Sequence, residues 1–460
     1  MGPVTIAGGG LAGSEAAWQL AIRGIPVTLY EMRPARSTPA HKTDRLAELV
    51  CSNSLKSNTP GAASWLLKEE LRRSGSLLMK LAGECAVPGG AALAVDRERF
   101  SESVTKVLSE HPLITLRREE LGEVPSEGLV LIATGPLTSD GLARSLQSLT
   151  GWENLAFYDA ISPIVDAETV NRERVFAASR YGKGNGNDYL NCPLNEAEYR
   201  AFYGALRGAE TVESHEFEDL NYFEACLPIE ELARRGYDTL RFGPMKPVGL
   251  ADPRTGRLPF AVVQLRAENL RFSSYNLVGF QNHLRFPEQA RILRMVPGLE
   301  QAEFLRFGQI HRNTYLNAPR LLQADLRLRC APNVYIAGQL CGVEGYAECI
   351  AAGFLAGAAL AQRAAGGDFT PPPRATALGS LIHYVSHADP ENYQPANISF
   401  DLLPPLEDLP RVVTRDRPAR RARQCERALA ELEAWLREFR AVGLAPRDTG
   451  RVIPSPQLPS

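Results

Sequence analysis

The part of this chain that most limits its fold lies at the start. Val4-Thr5-Ile6-Ala7 is a short strand-forming run that stops at Gly8-Gly9-Gly10-Leu11-Ala12-Gly13. Ser14 to Arg23 then reads as helix with Gly24 as its stop, and Val27-Thr28-Leu29-Tyr30 reads as a second strand closed by Glu31. A lone GxGxxG says little. One that follows a strand, opens a helix and has an acid at the end of the next strand is the crossover of a nucleotide-binding sheet. Gly8 allows the tight turn, Gly10 lets the backbone approach a pyrophosphate, and Gly13 lets helix and strand close on each other. The N–H groups of the loop, Gly9, Leu11 and Ala12 among them, face phosphate together with the positive end of the helix dipole. Glu31 is placed to accept from ribose hydroxyls, and a carboxylate there argues against a 2′-phosphate.

NAD and FAD both use this unit, and two later runs favour FAD. Leu131-Ile132-Ala133-Thr134-Gly135 resembles the strand–ATG element of FAD-binding proteins. Tyr335-Ile336-Ala337-Gly338-Gln339 resembles the strand that returns to the ribityl chain, with Gly-Gln where many flavoproteins have Gly-Asp. No second GxGxxG unit follows, so NADPH or NADH would have to visit the flavin directly. The predicted fold is α/β, a Rossmann-like FAD-binding domain interrupted by an inserted α+β domain. Residues 1–150 form its first part and 151–325 the insertion, which is richer in Tyr, Phe, Asn and Arg. Residues 326–440 form the return part with a C-terminal helix, and 441–460 a disordered Pro-rich tail.

Composition narrows the partners. The 460 residues carry 51 basic and 53 acidic side chains, a net charge of −2, so nucleic acid would need a local basic patch. The eight cysteines are scattered, with no CxxC and no zinc spacing, which predicts reduced thiols, no metal and a cytoplasmic location. No signal peptide is expected. The longest apolar stretch, Cys349 to Gln362, is too short to span a bilayer and predicts a buried helix.

Cys51 lies in Ala47-Glu48-Leu49-Val50-Cys51-Ser52-Asn53-Ser54-Leu55-Lys56, and Cys226 in Tyr222-Phe223-Glu224-Ala225-Cys226-Leu227-Pro228-Ile229-Glu230. Either thiol alone reads first as a small buried hydrophobe. Both stretches, however, together with Gly8–Gly13, Leu240–Leu250, Tyr275–Gln281, His311–Tyr315 and Ala337–Tyr346, resemble the folate- and FAD-dependent tRNA uracil-5-methyltransferase family. The likeness runs from residue 3 to about 440. It implies a fold like that of glutathione reductase and of the flavoenzyme that modifies wobble uridine. It implies transfer of a carbon from 5,10-methylenetetrahydrofolate to the T-loop uridine of tRNA, with reduced FAD as carbon carrier and hydride donor. Cys226 would add to uracil C6 and Cys51 would assist near the flavin, or the two roles would be exchanged. Tyr346, after a glycine turn, would stack on the isoalloxazine or serve as a core tyrosine. No obligate protein partner is implied.

The window 266–329 holds ten Arg against five Asp/Glu, interleaved with Phe272, Tyr275, Phe280, Phe286, Phe304, Phe307 and Tyr315. A second basic cluster comprises Arg411, Arg415, Arg417, Arg420, Arg421 and Arg423. Both read either as solvated faces over ordinary core aromatics or, given the resemblance, as tRNA contacts. Two rival activities stay open. One is the wobble-uridine flavoenzyme, which is longer; the other is an NAD(P)H-dependent small-molecule flavin oxidoreductase.

Overall fold

The computed structural model describes residues 2–38, 40–50, 54–151, 155–212, 227–269, 271–406 and 416–439, and for 155–161 and 309–314 the backbone alone. The architecture is α/β. Five parallel strands lie in the order Val334–Ile336, Val130–Ile132, Val4–Ala7 (β1), Val27–Tyr30 (β2) and Ile114–Arg117. Val130, Leu131 and Ile132 are all fully buried, as expected of a parallel strand covered on both faces.

Between β1 and β2 the helix α1, Leu11–Ala21, begins directly in the glycine loop. That is three residues before the Ser14 start predicted from sequence, because Ser14 N already bonds to Gly10 O at 2.9 Å. The Ala/Gly-rich run folds as the helix Tyr346–Ala364 and packs on α1. A Cβ at Gly353 would stand 2.2 Å from Ala12 O, and one at Gly357 3.0 Å from Ala16 Cα, so bare backbone sets this crossing. Two helices, Ala63–Arg73 and Leu77–Glu84, follow in the nucleotide-binding half. Gly75, at φ +80°, turns the chain between them, and Ser76 caps the second by accepting from Met79 N.

The second sheet has six strands, in the order Phe304–Arg306, Ile164–Asp166, Ser274–Leu277, Ala261–Ala267, Tyr189–Leu194 and Phe176–Ala177. Its neighbouring strands pair antiparallel. The antiparallel pair Leu155–Ile161 and Gln309–Tyr315 carries the chain out to this sheet and back. On Ala261–Ala267 the side chains of Val263, Leu265 and Ala267 enter an apolar core. Gln264, Arg266 and, one residue beyond, Glu268 point the other way yet are also buried, because that face is turned to the nucleotide-binding half. The helix Arg417–Phe439 lies in the segment expected as C-terminal helix, and residues 441–460 lie outside the described residues. Among the described residues no helix is long and apolar enough to cross a membrane, and no cluster of three or more His, Cys, Asp or Glu could hold a metal.

Candidate active site

The glycine loop is fixed by close contact. Gly8 has φ +102°, and a Cβ there would lie 2.6 Å from Ala133 O; a Cβ on Gly13 would lie 1.9 Å from Gly8 O. Gly10 differs, since nothing stands within 4 Å of its missing Cβ. Gly10 caps α1 with no side-chain hydrogen bond, which leaves the first N–H groups of the helix open to an anion. A cavity runs from Gly8–Gly10 past Glu31 to Thr134 and Ser139. An uncapped helix end, room above Gly10 and a cleft that leads on to Glu31 fit the pyrophosphate and ribose of a dinucleotide such as FAD.

Glu31 closes this end in a way that sequence does not reveal. Its Oε1 accepts from Arg33 N at 3.1 Å and Arg33 Nε at 2.8 Å, and its Oε2 accepts from Arg33 Nη2 at 3.0 Å and Gly9 N at 3.2 Å. Burial disfavours its charge, but Arg33 outweighs that and holds the carboxyl below its ordinary value. Arg33, itself 2% exposed, also reaches Thr43 O and Glu48. A ribose hydroxyl would therefore have to share Glu31 with Arg33.

Gly135 (φ +66°) follows Thr134 of that cavity, and at the other end a Cβ added to Gly338 (φ +73°) would stand 3.0 Å from Ala12 Cβ. Gln339 Nε2 donates to Glu344 Oε2 at 2.7 Å. Tyr346 is half-buried at the first turn of its helix, after Gly345 at φ +114°. Beside it Glu348, fully buried, accepts from Lys56 Nζ at 2.9 Å through Oε1, while its Oε2 has no hydrogen-bond partner. An orphaned buried acceptor at this end of a dinucleotide site is consistent with a group that the protein is built to receive.

Cys51 and Cys226 lie outside the described residues, but the flanks of Cys51 do not. Arg97 and Arg306 donate to the carbonyls of Leu49 (3.4 Å) and Val50 (2.9 Å). On the far side, buried Lys68 donates to the carbonyls of Leu55, Lys56 and Ser57 at 2.6, 3.2 and 2.8 Å. Burial pulls Lys68 down to about 7. Arg97 is also paired with Glu268 at 2.9 Å, and Glu268 accepts from Asn276, so the polar face of the second sheet is tied to the segment that leads to Cys51. Lys68, Arg97, Arg306, Glu268 and Glu348 were not singled out in the sequence. For Lys68 a signal existed: it is a charge within the apolar stripe of Leu67 and Leu71.

Five of the six other thiols are poor nucleophiles. Burial pushes Cys341 up to about 12 and Cys425 to about 11, and it raises Cys85, Cys192 and Cys349 as well. Cys330 is exposed, and none of these six is paired in a disulfide. The aromatics of the proposed RNA window divide. Tyr275, Phe280 and Tyr315 are core residues at 4%, 0% and 6% exposure and cannot stack on a base as they stand, whereas Phe272 and Phe286 are exposed. Arg266 is likewise buried, and Arg411 and Arg415 lie outside the described residues.

A family model described as glucose inhibited division protein A matches residues 3–368. A protein of Solibacter usitatus (strain Ellin6076), described as methylenetetrahydrofolate–tRNA-(uracil-5-)-methyltransferase TrmFO, is 60% identical over 437 residues, 94% of this chain and 98% of that one. A protein of Geobacter sulfurreducens with the same description is 56% identical over 95% of this chain and 99% of its own. The chain belongs to the TrmFO family. Its fold is also that of Aquifex aeolicus GidA, with a TM-score of 0.67 at 15% identity over 96% of this chain and 74% of that one.

Proposed function

We propose that this chain transfers the one-carbon unit of 5,10-methylenetetrahydrofolate to C5 of the T-loop uridine of tRNA, with FAD in the dinucleotide site and NADPH or NADH as reductant. Membership of the TrmFO family is the observation that carries the reading. A substrate of this kind belongs to the cytoplasm. Bound FAD supplies what side chains cannot, a carrier for the carbon and a hydride to complete the methyl group.

The chain's own part is to hold the cofactor and activate the base. The uncapped end of α1 and the space above Gly10 take the pyrophosphate with Gly135 close by, and Gly338, Gln339 and Tyr346 border the ring end. Uracil C5 is a weak nucleophile. In the proposed reaction the Cys226 thiolate bonds to C6, the C5=C6 pair moves onto the C4 carbonyl oxygen as an enolate, and C5 becomes able to attack. Cys51 assists near the flavin with the carbon or the proton. Lys68, Arg97 and Arg306, which donate to carbonyls on both flanks of that segment, fix its backbone.

The test is purified protein with undermodified tRNA, NADPH and methylenetetrahydrofolate labelled in the methylene carbon. Label in 5-methyluridine of the T-loop, dependent on folate, is the expected result. Consumption of NADPH without transfer of label would move the assignment to wobble-uridine or small-molecule flavin chemistry.

A further inference from the structure

One edge of the inserted half carries three phenyl rings in a single stack. Phe286 lies against Phe307, and Phe307 against Phe304, with centroids 5.1 Å apart in both pairs and planes only 17° and 22° from parallel. We propose that this stack is a platform for an unpaired base of the RNA loop, next to the uridine that is modified. The inference rests on the tRNA reading given above.

The stack is built from two pieces of chain. Phe286 opens the helix Phe286–Leu293, and Phe304 and Phe307 come from the edge strand Phe304–Arg306 and the residue after it. That strand is bulged, since Phe304 pairs with Val165 and Arg306 already pairs with Ile164. The extra residue, Leu305, brings Phe304 and Phe307 to one side, where strict alternation would have parted them. Buried Gln289 ties the two pieces together. Its Nε2 donates to Leu284 O at 2.7 Å and Gly308 O at 2.9 Å, and its Oε1 accepts from Gly308 N at 2.8 Å. The inner end is closed. Phe304 packs on the apolar core of the second sheet, and the Arg294 guanidinium stands 5.9 Å from its ring centre. The outer end is open, with Phe286 47% exposed.

A rigid stack with one free end continues into any further planar group. A uridine drawn out of its loop leaves its neighbours without stacking partners, and an aromatic side chain restores that contact for whichever base is there. The charges beside the rings suit the backbone of the same ligand. Arg285 adjoins Phe286 and pairs with Glu210 at 3.1 Å, both side chains exposed, so a phosphate can take the place of that carboxylate. Arg306, between the rings in sequence, donates to Val50 O at 2.9 Å, which ties the platform to the residue before Cys51. Exposed Lys42 lines the same cleft as Arg306. Burial and the charge of Arg306 both lower the proton affinity of Lys42, with Glu48 acting against them, so the two cations stand close enough for one phosphate to relieve their repulsion.

The test measures the binding of an undermodified tRNA transcript to FAD-loaded protein in the absence of folate. Phe286→Ala should weaken binding about tenfold, the scale of one lost base–aromatic stack. Phe286→Leu keeps an apolar side chain and should weaken it as much, whereas Phe286→Trp should restore it. The slope of log Kd against log salt should stay that of the wild type in all three, because no phosphate contact is removed; Lys42→Met should lower it. A blunt RNA duplex should bind the wild type and the Phe286 variants alike. In the full reaction Phe286→Ala should raise the tRNA KM and leave the folate KM and the bound flavin unchanged. Wild-type affinity for tRNA in Phe286→Ala or Phe286→Leu overturns the platform, and so does an equal loss with the duplex. Binding that depends on Phe286 in a protein that methylates nothing would leave the platform standing and sink the methylation. T-loop methylation by Phe286→Ala at the wild-type tRNA KM would do the reverse.

Discussion

At the glycine loop the limits are steric: Gly8 and Gly13 sit where an added methyl would strike backbone at 2.6 and 1.9 Å. Across the seam, the face of the six-stranded sheet is built from charge. Arg97, Glu268 and Asn276 are linked in series, and Arg266 lies buried among them. The two regions fail differently. A contact-built site either closes or does not, because backbone cannot move aside. A charge-built face loses function in steps, since water or a neighbouring group can take up part of a missing partner.

The sharpest way to break the comparison is Gly13→Ala. Overpacking against backbone costs about 1–3 kcal/mol and sometimes more. We expect protein that purifies without yellow colour and unfolds at a lower temperature. Gly10→Ala, with open space around it, should fold normally and lose only affinity for the cofactor. If Gly13→Ala keeps stoichiometric flavin, the loop is not set by contact.

Cys226→Ser tests chemistry apart from either scaffold. It should retain flavin and its unfolding temperature, yet form no covalent complex with tRNA that contains 5-fluorouridine. A trapped adduct in this variant would remove Cys226 from the role of nucleophile.

A smaller effect is expected on the charged face. The side chains of Arg97 and Glu268 are 16% and 8% exposed, so removal of one partner strands a largely buried charge at a cost of up to about 3 kcal/mol. Glu268→Gln should therefore lower activity with flavin retained. Arg97→Met combined with Glu268→Gln should cost less than the sum of the two single changes. Strict additivity would mean that the pair does not work as a unit.

The same contrast explains what could be read from sequence. The contact-built half announces itself locally: a glycine loop, a strand on each side and an acid lie within one crossover, and the Ala/Gly run that packs on α1 is visible as composition. The charged face is assembled from Arg97, Glu268, Asn276 and Arg306, which lie far apart in the chain, and no local pattern joins them. The alternation Val263-Gln264-Leu265-Arg266-Ala267 even suggests a strand with one face in water, whereas its polar face is buried by the other half of the molecule. Likewise Tyr275, Phe280 and Tyr315 look the same in sequence as the exposed Phe272 and Phe286; only packing separates them. Glu31 was legible as the acid of the crossover, but its engagement by Arg33 was not, because that depends on how the turn after β2 folds back.

The smallest effect concerns a carboxyl in the contact-built half. Glu70 is fully buried and accepts from Ala377 N at 2.7 Å and Leu378 N at 2.8 Å, at the start of the helix Ala377–His387. Burial pushes it from 4.5 up to about 8, although the two backbone bonds pull the other way. A folded value above the unfolded one means that folding takes up a proton between those limits. The stability linked to that proton is complete below pH 4.5 and is lost as pH rises through about 8. Glu70→Gln mimics the neutral acid, so the two proteins should unfold at similar temperatures near pH 5, and the wild type should fall below the variant as pH approaches 9. A wild type that stays the more stable across that range would show that the two N–H groups hold a carboxylate. In that case charge, and not contact alone, would also build the half that carries the glycine loop.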